Sequence, residues 1–147
     1  MINLPTTILP RPMGDVNSVM RDLDMNADRV RALVEQGTLI AFNITAVKSN
    51  RADLRILTKS VEHYRDNGGK KALRLEWPEI FRLIMPHNKF FVRGFEVARG
   101  LNCDRGHVEN LIISGHLVTA KKAQPGPNGS PIITRGSFES FLIGRLQ

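Results

Sequence analysis

The chain repeats itself. Shifted by 78 residues, Val19-Met20-Arg21-Asp22-Leu23-Asp24-Met25 falls on Val97-Ala98-Arg99-Gly100-Leu101-Asn102-Cys103. The match continues without a gap, setting Val30 on Val108, Leu33 on Leu111, Val34 on Ile112, Gly37 on Gly115 and Leu39 on Leu117. It resumes at a shift of 76, with Ile56-Leu57-Thr58-Lys59 on Ile132-Ile133-Thr134-Arg135. One further inserted residue then places Val61-Glu62-His63-Tyr64 on Phe138-Glu139-Ser140-Phe141. Few positions are identical, but the apolar positions and a glycine coincide. The change in length falls in a polar stretch, where surface loops vary. A duplication of this kind makes one local structure serve twice, and it constrains the fold more than any composition does.

The copies cover residues 13–65 and 91–146, giving a first unit over 1–66, a linker over 67–90 and a second unit over 91–147. The linker opens with the polar Asp66-Asn67-Gly68-Gly69-Lys70-Lys71. It then reads Trp77-Pro78-Glu79-Ile80-Phe81-Arg82-Leu83-Ile84. Pro78 suits a first helical turn, the apolar residues share a face, and Pro86 stops the helix. The pattern predicts a short connecting helix packed against one or both copies, with Trp77 as a packing residue.

Within copy one, Val16, Val19, Met20 and Leu23 recur at helical spacing, and Asp15 can cap that helix. Asp24-Met25-Asn26 reads as a tight turn with Met25 as its apolar plug. A second helix over 27–36 follows, buried through Ala27, Val30, Leu33 and Val34 and closed by Gly37 in the left-handed conformation. The period then changes. Leu39 through Ile44 and Leu54-Arg55-Ile56-Leu57 read as two strands around a polar loop. Thr58 or Ser60 caps a final helix.

Copy two repeats the plan. Phe95, Val97, Ala98 and Leu101 face a core, Asn102-Cys103-Asp104 makes the turn, and a second helix over 105–114 is capped by Asp104 and closed by Gly115. Strands at 117–119 and 132–134 enclose a longer loop, and a helix bearing Phe138, Phe141 and Leu142 ends the unit. Helix, three-residue turn, helix and two-stranded ribbon is the winged helix-turn-helix arrangement. The expected class is therefore mainly α with small β-wings, an α+β fold of two tandem domains.

Composition narrows the function. The formal charge is +7 and the pI about 10.2, which attracts polyanions, nucleic acid foremost. Residues 1–70 carry 10 Lys/Arg against 8 Asp/Glu, and residues 71–147 carry 11 against 6, so the second half is the more basic. No apolar run is long enough to span a bilayer, and Met1-Ile2-Asn3-Leu4-Pro5 does not read as a signal peptide. A single cysteine, Cys103, allows no internal disulfide and no Cys-based metal site. It reads as a small core hydrophobe in a chain from a reducing, cytoplasmic setting.

The segments Phe95-Glu96-Val97-Ala98-Arg99-Gly100-Leu101-Asn102-Cys103-Asp104 and Val108-Glu109-Asn110-Leu111-Ile112-Ile113-Ser114-Gly115-His116-Leu117 resemble the MerR-like/excisionase DNA-binding family. In that family an "EVA-x-x-L" helix leads through a turn to "V-x-x-L-I-x-x-G-x-L". A wing follows, then an ending that Pro131-Ile132-Ile133-Thr134-Arg135 and Phe138-Glu139-Ser140-Phe141-Leu142 match. Copy one is similar but has Asn17-Ser18-Val19-Met20 in place of Glu-Val-Ala. The resemblance covers about two-thirds of the chain and implies DNA binding by a bacterial or phage-encoded, nucleoid-associated protein. Its members include excisionases, transcription regulators and terminase small subunits.

In such a unit the second helix enters the major groove and its early exposed residues meet base edges. That points to Arg29 and Arg31 in copy one, and to Arg105, His107 and Asn110 in copy two. Arg suits guanine and Asn suits adenine. Lys48 and Arg51, and Lys121 and Lys122, are placed on the wings for phosphate contacts. Asp28, Glu35 and Glu109 on the same faces oppose nonspecific affinity, and copy one is the weaker reader. Gly106 inside the second recognition helix is costly.

His63, His87, His107 and His116 have no metal-ligand spacing, and His116 reads as a helix-end cap. No catalytic group, metal or cofactor is expected, nor a small-molecule substrate. The expected function is sequence-specific binding of double-stranded DNA, as an excisionase-like recombination factor or small transcription regulator. The alternative is a protein-interaction module that holds a recombinase, a polymerase or a second copy of itself. RNA binding is disfavoured because aromatics are 6% of the chain and no exposed stacking cluster is legible.

Overall fold

The computed structural model describes residues 11–47, 51–69, 73–120 and 130–147. In the first copy these form β1 (Met13–Gly14), α1 (Val16–Leu23), α2 (Ala27–Glu35), β2 (Ala41–Asn43), β3 (Leu54–Leu57) and α3 (Thr58–Asn67). Between the copies lies α4 (Trp77–Ile84). The second copy forms β4 (Phe91–Arg93), α5 (Gly94–Leu101), α6 (Arg105–Ile113), β5 (Ile132–Thr134) and α7 (Arg135–Arg145). The fold is mixed α+β, with helices packed on two small antiparallel sheets ordered β1-β3-β2 and β4-β5.

Short-range chemistry sets the helix ends, and it does so twice. The Asp15 carboxylate accepts the Ser18 N–H at 2.8 Å and starts α1. Asp24 ends α1 in the left-handed region (φ 51°), as Asn102 ends α5 (φ 52°). Asp and Asn tolerate that conformation better than bulkier residues do. Asn26 accepts the Arg29 N–H at 2.9 Å to cap α2, and Asp104 accepts the His107 N–H at 2.7 Å to cap α6. Gly37 (φ 78°) and Gly115 (φ 82°) then reverse the chain. After each glycine, two successive N–H groups converge on one helix carbonyl. Thr38 and Leu39 donate to Leu33 at 2.9 and 3.2 Å, and His116 and Leu117 donate to Leu111 at 2.9 and 3.2 Å. The duplication thus extends to individual hydrogen bonds.

One expectation about the repeat is corrected. β1 pairs with β3 so that Met13 faces Leu57, and β4 pairs with β5 so that Phe91 faces Thr134. The return strands therefore correspond at a shift of 77, and no inserted residue precedes the last helix. Two serines fix the point. The Ser60 hydroxyl donates to the Leu57 carbonyl at 2.7 Å and accepts the Ile40 N–H at 3.1 Å. Ser137 does the same with Thr134 at 2.9 Å and Val118 at 3.1 Å. Adjacent isoleucines at 132 and 133 fit either register. The leading strands β1 and β4 decide it, and at two and three residues they are too short to show a period.

The core is shared. A smaller apolar cluster, including Val19, Val30, Leu33, Leu39 and Ile56, lies within the first copy. The larger cluster joins Val97, Leu111, Ile133 and Phe138 of the second copy to Phe42, Ile44 and Leu57 of the first. It also takes in Ile80 and Ile84 of α4. Trp77 packs as expected, stacked on Phe81 at 5.6 Å between ring centroids and tilted against Phe42 at 6.3 Å. Among the described residues no helix is long and apolar enough to cross a membrane.

The position equivalent to exposed Asp22 in the first copy is buried Gly100 in the second, because α5 there packs against the end of α4. A Cβ at Gly100 would stand 3.0 Å from the Ile84 carbonyl oxygen, a backbone atom that cannot swing aside. Gly100→Ala should therefore lose about 1–3 kcal/mol through overpacking, seen as a lowered Tm. Asp22→Ala, in solvent, should move stability by less than about 0.5 kcal/mol. Equal melting of the two variants would refute this packing.

Candidate functional site

The outward faces of α2 and α6 differ in chemistry. On α2, Arg29 and Arg31 are exposed, as expected, but so are Asp28 and Glu35. Arg31 lies 4.0 Å from Asp28, with the two side chains 57% and 97% exposed. Such a pair contributes less than about 1 kcal/mol. On α6, Arg105 and Asn110 are exposed beside Glu109 and Ile113, and the first turn holds no acid. Arg51 is exposed on the first ribbon. The expected wing contacts Lys48, Lys121 and Lys122 lie outside the described residues.

His107 departs from its expected place among the base-reading residues. Its ring is half-buried, and Nε2 lies 2.6 Å from the Ile44 carbonyl oxygen of the first copy. The nitrogen that would meet a base edge is engaged inside the protein. His116 is likewise not a side-chain helix cap: its backbone N–H closes the turn. Its Nε2 lies 3.2 Å from the Ala46 carbonyl oxygen and 3.3 Å from the Arg145 guanidinium.

Arg145, at the end of α7, completes this seam. It donates to the carbonyls of Asn43 at 3.1 Å and Thr45 at 2.7 Å, and its guanidinium sits 4.9 Å from the Phe141 ring centre. Burial lowers its pKa from the usual arginine value. From the other side, Arg55 of β3 donates to the Asn102 carbonyl at 2.9 Å, at the left-handed residue between α5 and α6. Residues 43–46 of the first ribbon thus run beside α6, tied near both of its ends.

The sequence reading passed over Arg55 and Arg145, yet a signal existed. Seam residues are where the copies disagree in chemistry: His107 replaces Arg29, His116 replaces Thr38, and Arg55 stands opposite Ile132 at the corrected shift. A second miss concerns the aromatics. Phe95, expected in a core, is 55% exposed, and Phe90 and Phe91 are 86% and 53% exposed. Three exposed phenylalanines thus fall within residues 90–95.

Cys103 packs against the larger core as the plug of the second turn. Burial pushes its thiol up to about 11, with the nearby Arg55 opposing that shift. Gly106 on α6 has open space around it, its closest neighbour across a Cβ being the Asp104 carboxylate at 3.5 Å. No group of three or more His, Cys, Asp or Glu among the described residues could hold a metal ion. Compared with family models, curated proteins and solved structures, the chain matches none.

Arg145→Ala should lose about 1.5–3 kcal/mol, the range for hydrogen bonds made by a charged group, measurable by denaturant unfolding. Iodoacetamide should alkylate Cys103 more slowly in the folded protein than in urea at pH 8. The folded thiol's rate should rise only as pH approaches 11, above the ordinary thiol value of 9.0. Because the folded pKa is the raised one, the thiol's contribution to stability is intact below the unfolded pKa and is lost as pH climbs past it.

Proposed function

We propose that the chain binds double-stranded DNA in sequence-specific fashion, as two fused winged helix-turn-helix units of which the second reads. The observation that carries this is the twice-built pair of helices, each with a side-chain-capped second helix whose outer face is open to solvent. That is the geometry by which a second helix enters a major groove. A net charge of +7 supports attraction to phosphate. Arg105 and Asn110 suit bidentate contacts to guanine and adenine. The mixed charge of α2 argues that the first copy serves differently, contributing its ribbon, with Arg51, as a flank to α6. By its motif resemblance the role is that of an excisionase-like recombination factor or small transcription regulator.

Selection from random duplex DNA followed by salt-titrated gel shifts tests this. Binding should weaken steeply and linearly in log K against log salt. Arg105→Ala and Asn110→Ala should each cost about 1–3 kcal/mol and relax preference at one base position, and Arg31→Ala should cost less. Gly106→Ala should gain up to about 1 kcal/mol in thermal stability, since the site has room and alanine favours helix. Failure to enrich any sequence, or binding indifferent to salt, would overturn the reading.

A further inference from the structure

The first turn of α5 stands between two clefts. One, of about 560 Å³, is walled by Leu57, Leu83, Met85 and Phe95. The other, of about 410 Å³, is walled by Phe90, Phe91 and Ile132. Glu96 borders both, so the two clefts adjoin across its side chain and are treated together as a groove. Its three phenylalanines are each more than half exposed. A contiguous apolar patch on a folded protein marks a surface that something covers.

Charge says what covers it. Arg11, Lys59 and Arg99 border the larger cleft, and Lys89 and Arg93 border the smaller. Against these five cations stand the carboxylates of Glu62 and Glu96. Glu96 is engaged within the chain, by His87 at 2.8 Å and by the Arg93 N–H at 2.9 Å. The groove is therefore apolar along its floor and cationic along its edges. We propose that it docks an amphipathic, acidic helical segment of a partner protein, with the apolar stripe on the phenylalanines and the carboxylates on the flanking cations.

Other occupants fit less well. A small amphiphile filling the larger cleft leaves Phe90 and Phe91 in water. Duplex DNA answers the cations and leaves all three rings uncovered. A second copy of a chain carrying +7 meets like charge. The proposal is independent of the DNA reading, since no groove residue belongs to α2 or α6.

The probe is a displayed library of random 16-residue peptides, selected on the whole chain and counter-selected on the Phe95→Ser/Arg99→Glu double variant. Both side chains are exposed, so an unchanged Tm certifies the fold. Enriched peptides should be net negative, with apolar residues at helical spacing. By fluorescence anisotropy they should bind the wild type at least about tenfold more tightly than either single variant, which is about 1.4 kcal/mol. Added salt should weaken them. Enrichment of nothing, of peptides without acidic residues, or of peptides that bind the variants equally would overturn the proposal. So would sedimentation showing a dimer of the chain alone that Phe95→Ser dissolves.

Discussion

A unit of some fifty residues buries too little apolar surface to be secure alone, and the larger apolar cluster is the answer to that constraint. It belongs to neither copy. Phe42, Ile44 and Leu57 of the first copy are wholly buried, and they are buried against the second copy and α4. The connecting helix is therefore part of the interior, with Trp77 between Phe42 and Phe81. The closeness of α4 to α5 at Gly100, the seam beside α6 and the placement of both outward helix faces all follow from this common packing.

Sharing a core creates a polar problem. β2 is paired with β3 only as far as Asn43 opposite Leu54, yet the chain beyond it is still buried, with Ile44 fully enclosed. Backbone carbonyls in that position need partners. The second copy supplies them from side chains: His107 to Ile44, His116 to Ala46, and Arg145 to Asn43 and Thr45. Among the described residues no buried side-chain nitrogen or oxygen lacks a partner. The seam is thus chemically specific, and it fixes which flank of α6 is covered and which is left to solvent.

What was legible in the sequence was whatever local chemistry decides. Asp15, Asn26 and Asp104 cap helices, and Gly37 and Gly115 reverse the chain, because each acts within three or four residues of itself. The mixed α+β class and the Trp77 helix followed from periodicity. What could not be read was decided at a distance. The register of β5 depends on β4, 41 residues earlier in the pairing of Val92 with Ile133, where two adjacent isoleucines fit alike. His107 matches a base-reading position in its own copy, and only the neighbouring copy's carbonyl redirects it. Phe95 sits at helical spacing with core residues, yet it lines a cleft made by four segments of the chain. The portion of the candidate site that was readable is the outward face of α6, where Arg105 and Asn110 stand in solvent as their spacing predicts.

The seam joins unlike surfaces, the α6 flank of one copy and the ribbon of the other. A head-to-tail contact between repeated units leaves an unmatched surface at each end, and in separate molecules it closes into rings or runs on as filaments. In this chain the α2 flank bears Arg29 and Thr38 where the α6 flank has His107 and His116, so it lacks both imidazoles that meet the ribbon's carbonyls. Two changed residues thus make the joint one-way, the ribbon of the first unit laid on the flank of the second, with no equivalent lock on α2.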